Sequence, residues 1–175
     1  MRQPAPIAPD IRRAGQWSGP ADRITLDYEA RFLRRKRLTA EGGLQFVVDL
    51  PETVSLEDGD ALLLEDGRLV EVIAAAEPLV AVTGPALPRL AWHIGNRHTP
   101  CEIAPDRLVI RHDHVLEEML RGLGAELQPF DGPFRPEGGA YGHGRTMGHA
   151  HGPEEAARYR AHLDAGDFGG GGGGE

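Results

Sequence analysis

Apolar and polar residues alternate through residues 23 to 83, and that period-2 pattern predicts strands rather than helices. In "ITLDY" the side chains of Ile24, Leu26 and Tyr28 share one face, and in "LQFVVDL" Leu44, Phe46, Val48 and Leu50 do the same. Asp66-Gly67, between the runs 62–65 and 68–73, tolerates positive φ and predicts a two-residue hairpin turn. Short strands with closely spaced turn signals predict a small antiparallel β-barrel or sandwich over residues 23–78.

From residue 79 the spacing changes. "LVAVTG" reads as a strand, and "PALPRLAWHIGNRH" reads as a helix because Leu87, Leu90, Ala91 and Ile94 recur at helical intervals. "CEI" and "RLVIR" read as strands about a turn at Pro105-Asp106, and "DHVLEEMLRGLG" as a second helix with an apolar stripe of Val115, Leu116, Met119, Leu120 and Leu123. Asp113 suits its N-cap and Gly124 its end. "AELQPF" completes the order β-α-β-β-α-β, the ferredoxin-like unit, over residues 79–142. The class expected is α+β. The proline-punctuated residues 1–22 read as a flexible leader, and residues 143–175, ending in "FGGGGGGE", as a disordered His- and Gly-containing tail.

Composition narrows the partners. With 19 Lys and Arg against 27 Asp and Glu the formal net charge is −8, which argues against nucleic acid, whose binding rests on neutralising phosphates. Cys101 is the sole cysteine, so neither an internal disulfide nor a thiolate cluster can form, and a metal would depend on imidazole and carboxylate. Neither a signal peptide nor a segment long enough to span a bilayer is expected, which suits a soluble cytoplasmic protein.

Six of the eight histidines lie between residues 98 and 151. His98 closes the first predicted helix, and if the helix continued it would extend the stripe of Leu87 and Ile94, since eleven residues make nearly three turns. That suits a histidine packed at the core edge. It also suits a ligand on an apolar patch that doubles as a subunit interface, where a twofold axis supplies a second copy. His112 and His114 flank Asp113 at a strand-to-helix junction, compatible with solvated neighbours of a cap or with a joint metal site. His143, His149 and His151 are separated by glycine and small residues, a short His-rich tract of the kind that binds metal. His93 and His162 are assigned solvated or packing roles.

The basic run "RFLRRKR", residues 31–37, reads as a charged strand that resists edge-to-edge pairing, with a docking stripe for an acidic protein partner as the functional alternative. Cys101 suits a small buried hydrophobe, although its nearness to His98 leaves a ligand role open.

These segments together resemble the urease accessory protein UreE family of nickel metallochaperones. The resemblance is carried by "GNRH" (95–98), "RHDHVLEEMLRGLG" (111–124), "PFRPEGGAYG" (133–142) and the His-bearing tail, and it reaches "RRKRLTAEGGLQFVVDLPE" and "LEDGDALLLEDGRLVEV", so that it spans residues 23–151. It implies an N-terminal domain that handles peptides or partners and a ferredoxin-like domain that binds metal and forms a homodimer. It also implies that His98 binds nickel across the dimer interface, that His112 and His114 match peripheral metal positions, and that His149 and His151 resemble tail ligands. Many relatives end in long histidine runs, whereas this chain ends in glycine, so fewer nickel ions are expected. The implied partners are the urease accessory GTPase and the urease apoprotein.

The residues also admit two rivals. A metal-dependent hydrolase would use His and Asp around an open coordination position, but there is no HExxH pairing, phosphate loop or nucleophile with its base. A peptide-binding folding factor would carry its histidines incidentally. Among metals, Ni2+ is the expected cargo, with Cu2+ or Zn2+ able to bind in vitro, since imidazole accepts all three and a generic site prefers copper. Imidazole ligation further predicts release on acidification through roughly ~6.5, the ordinary histidine range.

Overall fold

The structure is a computed structural model that describes residues 4–139. The described residues form three sheets and two helices, a mostly β arrangement of the α+β class.

Two sheets enclose the first core. One has the order β1-β5-β4, from β1 (Ile7–Ala8), β4 (Phe32–Thr39) and β5 (Gln45–Ser55). The other has the order β2-β6-β7-β3, from β2 (Asp10–Arg12), β3 (Asp22–Leu26), β6 (Ala61–Leu63) and β7 (Leu69–Ala74). The alternation read from the sequence holds: Ile24, Leu26, Phe46, Val48 and Leu50 are buried in one cluster with Leu33, Leu62, Val70 and Val72, so the two sheets pack across a shared interior. The sandwich form of the expectation therefore fits, while among the described residues no closed barrel forms. The pairing is mixed, since β1 runs parallel to β5 and β3 parallel to β7.

Two local readings change. The β6–β7 hairpin has three loop residues, not two: Leu64 N–H bonds Arg68 O, Gly67 N–H bonds Leu64 O, and Gly67 alone among them takes positive φ, at 86°. This is a type I turn followed by a left-handed residue. The stretch read as a leader is part of the fold from Ile7 onward. Asp60, with no exposed surface, accepts Arg13 Nη1 at 2.7 Å, Ala14 N–H at 3.0 Å and Glu57 N–H at 2.8 Å, and Trp17 Nε1 donates to Gly59 O. A carboxylate buried this deeply requires such donors, and two of its three, Arg13 and Ala14, come from that stretch, as does Trp17.

The third sheet has the order β11-β8-β10-β9, all antiparallel, from β8 (Ala76–Thr83), β9 (Glu102–Ile103), β10 (Leu108–Arg111) and β11 (Glu126–Pro133). Helices α1 (Leu87–Asn96) and α2 (His114–Gly122) cover one face, where Leu90, Ile94, Leu116 and Leu120 pack on Val80, Val82, Leu108 and Ile110. Val115, placed in the apolar stripe by spacing, is instead 58% exposed, as is Trp92 at 63%.

The other face meets the first core through Tyr28, Leu79, Val109 and Phe134. Tyr28 packs edge-on against Phe134, and the guanidinium of Arg111 lies 4.9 Å from its ring centroid. Arg31, first residue of the basic run, is buried here and donates to Phe134 O; desolvation lowers its pKa against the opposing pull of Glu77 and Asp58. Its neighbours Arg34, Arg35, Lys36 and Arg37 stand exposed on β4, an edge strand of its sheet. Arg135 pairs with Asp58 at 2.7 Å. Burial works to raise the Asp58 carboxyl, yet the Ala74 N–H and Arg135 outweigh it and hold the pKa below the ordinary value.

Candidate metal centre

The end of α1 sets the position of His98. Arg97 is the C-cap; His98 N–H bonds Gly95 O at 2.9 Å, and Thr99 N–H reaches Ile94 O at 3.4 Å. These two bonds turn the chain through the left-handed region at the residue after the cap, a slot that glycine normally fills. His98 fills it here with φ 55°, and among the described residues no other non-glycine has positive φ. The helix therefore stops two residues before His98, and the imidazole does not extend the stripe of Leu87 and Ile94. His98 is exposed, not packed at the core edge. A side chain held in a conformation that disfavours it is an observation that calls for a functional reason.

His112 and His114 lie at the junction of β10 and α2. Asp113 caps the helix as expected, its Oδ1 accepting Leu116 N–H at 2.8 Å. The two histidines differ in their surroundings. His112 Nδ1 lies 2.5 Å from Oε1 of Glu117, whose side chain is only 6% exposed, while the His112 side chain is 64% exposed. His114 Nδ1 is 4.0 Å from Glu118 Oε2, with both side chains exposed. Glu117 also accepts Asp113 N–H at 3.2 Å and Arg121 Nη2 at 3.2 Å. Spacing did not single out Glu117; the signal was an acidic residue in the first turn of a capped helix, where such residues fold back on the cap.

Thr99 and Pro100, directly after His98, line a shallow cavity of about 440 Å³ together with Pro78, Arg111, His112 and Asp113. The His98 turn and the His112 junction therefore border a common depression. Among the described residues, no group of three or more His, Cys, Asp or Glu side chains converges as it would around one ion. One chain presents separate imidazoles. His143, His149 and His151 lie outside the described residues, as does His162. His93, in the last turn of α1, meets Trp92 ring to ring at 5.0 Å, in keeping with a packing role.

Cys101 is half-buried, and desolvation pushes its thiol up to about 11. Because the thiolate is the form that binds metal, this cysteine is a poor ligand at neutral pH. Its carbonyl has a different part: it accepts Glu137 N–H at 2.8 Å, which anchors the segment after β11 three residues from His98. Among the described residues no helix is long and apolar enough to cross a membrane.

Comparison with known proteins accounts for both halves of the chain. Residues 5–75 match the UreE urease accessory protein N-terminal domain, and residues 71–162 match the UreE urease accessory protein C-terminal domain. The urease accessory protein UreE of Rhodobacter capsulatus is 68% identical over 140 residues, covering 80% of this chain and 89% of the relative. That of Cereibacter sphaeroides is 66% identical over 151 residues, with coverages of 86% and 82%. The Ruegeria pomeroyi protein of the same name is 62% identical over 146 residues, with coverages of 83% and 98%. Matches to both domains and relatives aligned over most of their length lead to one conclusion: the chain belongs to the UreE family of urease accessory proteins, which are accessory chaperones and not enzymes.

Proposed function

We propose that this chain works as a homodimer in the cytoplasm, taking up nickel through His98 from both protomers and passing it to the urease accessory GTPase, and through it to apo-urease. Nickel is cargo, so the chemistry is ligand exchange. The observation that carries this reading is the placement of His98: an exposed imidazole occupies a left-handed turn where glycine would be more stable. Copper and zinc compete for such ligands, so selectivity comes from supply and partner rather than affinity.

Two further observations support it. The large apolar side chains of Trp92 and Val115 stay exposed on the two helices, as a subunit interface requires. The Glu137 anchor lies six residues before His143, a span of at most ~20 Å fully extended. We read His143, His149 and His151 as tail ligands that join His98, and His112 and His114 as peripheral stations. We read residues 79–142, with their β-α-β-β-α-β order, as a ferredoxin-like domain for metal binding and dimerisation. Residues 23–78 are read as the partner-binding domain.

Equilibrium nickel titration with mass determination tests this on the full chain, on His98→Ala and on a truncation after Tyr141. The full chain is expected to bind its tightest nickel as one ion per two chains. His98→Ala should lose that ion, by more than the roughly 10–100-fold that removing a supporting group costs. The truncation should lose weaker ions. A His98→Ala dimer that keeps the tight ion contradicts the proposal.

A further inference from the structure

The pairing of His112 with Glu117 carries one more step, which rests on the reading of His112 as a nickel station. Glu117 Oε1 lies 2.5 Å from one imidazole nitrogen of His112, and a carboxylate oxygen facing a ring nitrogen this closely favours the tautomer with the proton on that nitrogen. That nitrogen is Nδ1. When the ring is neutral, the lone pair then belongs to Nε2, on the side away from the carboxylate.

We propose that Glu117 is the positioning residue of this station: it fixes the tautomer and ring orientation of His112 so that Nε2 meets the metal. Metal-binding histidines commonly give their second N–H to a carboxylate, which orients the ring and makes it a better donor. Here the carboxylate is itself held in place by neighbours. Its side chain is 6% exposed, Arg121 Nη2 holds Oε2 at 3.2 Å, and Asp113 N–H reaches Oε1 at 3.2 Å. With both oxygens taken and little surface, Glu117 supports a ligand and does not serve as one. The neighbouring site supplies the contrast. His114 stands 4.0 Å from Glu118, beyond hydrogen-bond reach, and neither side chain is buried. His114 therefore lacks this support and should be the weaker station.

A purely structural role for Glu117, closing the start of α2, would leave the ring of His112 indifferent to it. The test measures imidazole nitrogen-15 shifts at neutral to mildly alkaline pH in the full-length, metal-free chain, for wild type, Glu117→Gln and Glu117→Leu. Nickel is then added, and its paramagnetic effect is followed residue by residue. Wild-type His112 is expected to show the proton on Nδ1, and Glu117→Gln, which keeps an accepting oxygen, should largely retain it. Glu117→Leu should lose that preference and weaken nickel at His112 by roughly 10–100-fold, with His114 unchanged. Folding is checked by the amide spectrum; should Glu117→Leu fail to fold, wild type and Glu117→Gln decide. A wild-type His112 protonated on Nε2, or nickel binding indifferent to the loss of Glu117, overturns the inference. Nickel that never reaches wild-type His112, while Nδ1 keeps its proton, overturns the reading of His112 as a station and this inference with it.

Discussion

The two helices lie on the same sheet face and end with the same hydrogen bonds, yet one ends in glycine and the other in histidine. At α2, Gly124 N–H bonds Arg121 O and Ala125 N–H bonds Leu120 O, with Gly124 at φ 86°. At α1, His98 and Thr99 make the corresponding bonds to Gly95 and Ile94, with His98 at φ 55°. The starts differ as well: Asp113 caps α2 through its side chain, whereas Ala86 at the start of α1 makes no side-chain cap bond. Both ends of α2 carry residues that suit them, and α1 forgoes both of these devices. Where local propensity and structure disagree, function is the usual cause, and the disagreement falls on the residue proposed to bind nickel.

Substitutions at these ends sharpen the comparison. Gly124→His gives α2 the same ending as α1. A Cβ at Gly124 would meet nothing within 4 Å, so the cost is conformational, and urea denaturation should show a loss of about 1–2 kcal/mol. A loss well beyond that range would mean that Gly124 serves packing rather than the turn. Asp113→Ala strips α2 of its cap and should cost about 1 kcal/mol, read as faster amide exchange in the first turn of α2. Unchanged exchange there would show that the cap contrast between the helices is not energetic. Smallest is the effect at Cys101: with its thiol near 11, alkylation at pH 8 should run much slower than for a free thiol, with or without nickel. Rapid alkylation that nickel blocks would return Cys101 to the ligand set.

The same contrast shows what could be read from the chain. Strands with alternating faces were legible because Ile24, Leu26, Phe46 and Val48 each repeat at a spacing that only a strand places on one side. The capped helix was legible at both ends through Asp113 and Gly124. The end of α1 was not, since "NRHTP" offers no glycine to mark the turn, and spacing alone carried the helix on through His98. Pairings across long separations were equally hidden. β1 and β2 have two and three residues, too few to show a period, and their partners Val47 and Leu63 lie about 40 and 50 residues away in sequence. Glu117 was not singled out because burial of a carboxylate depends on donors that the fold brings together. The predicted tail ligands lie outside the described residues.

His98→Gly tests the central claim most directly, because it sets stability against binding in one molecule. The full-length variant and wild type are compared by urea denaturation without metal and by nickel titration with mass determination. Relief of the left-handed strain should raise stability by about 1–2 kcal/mol, the converse of Gly124→His, while the nickel shared by two chains disappears. A variant that gains nothing in stability and still holds one tight nickel per dimer would contradict the account.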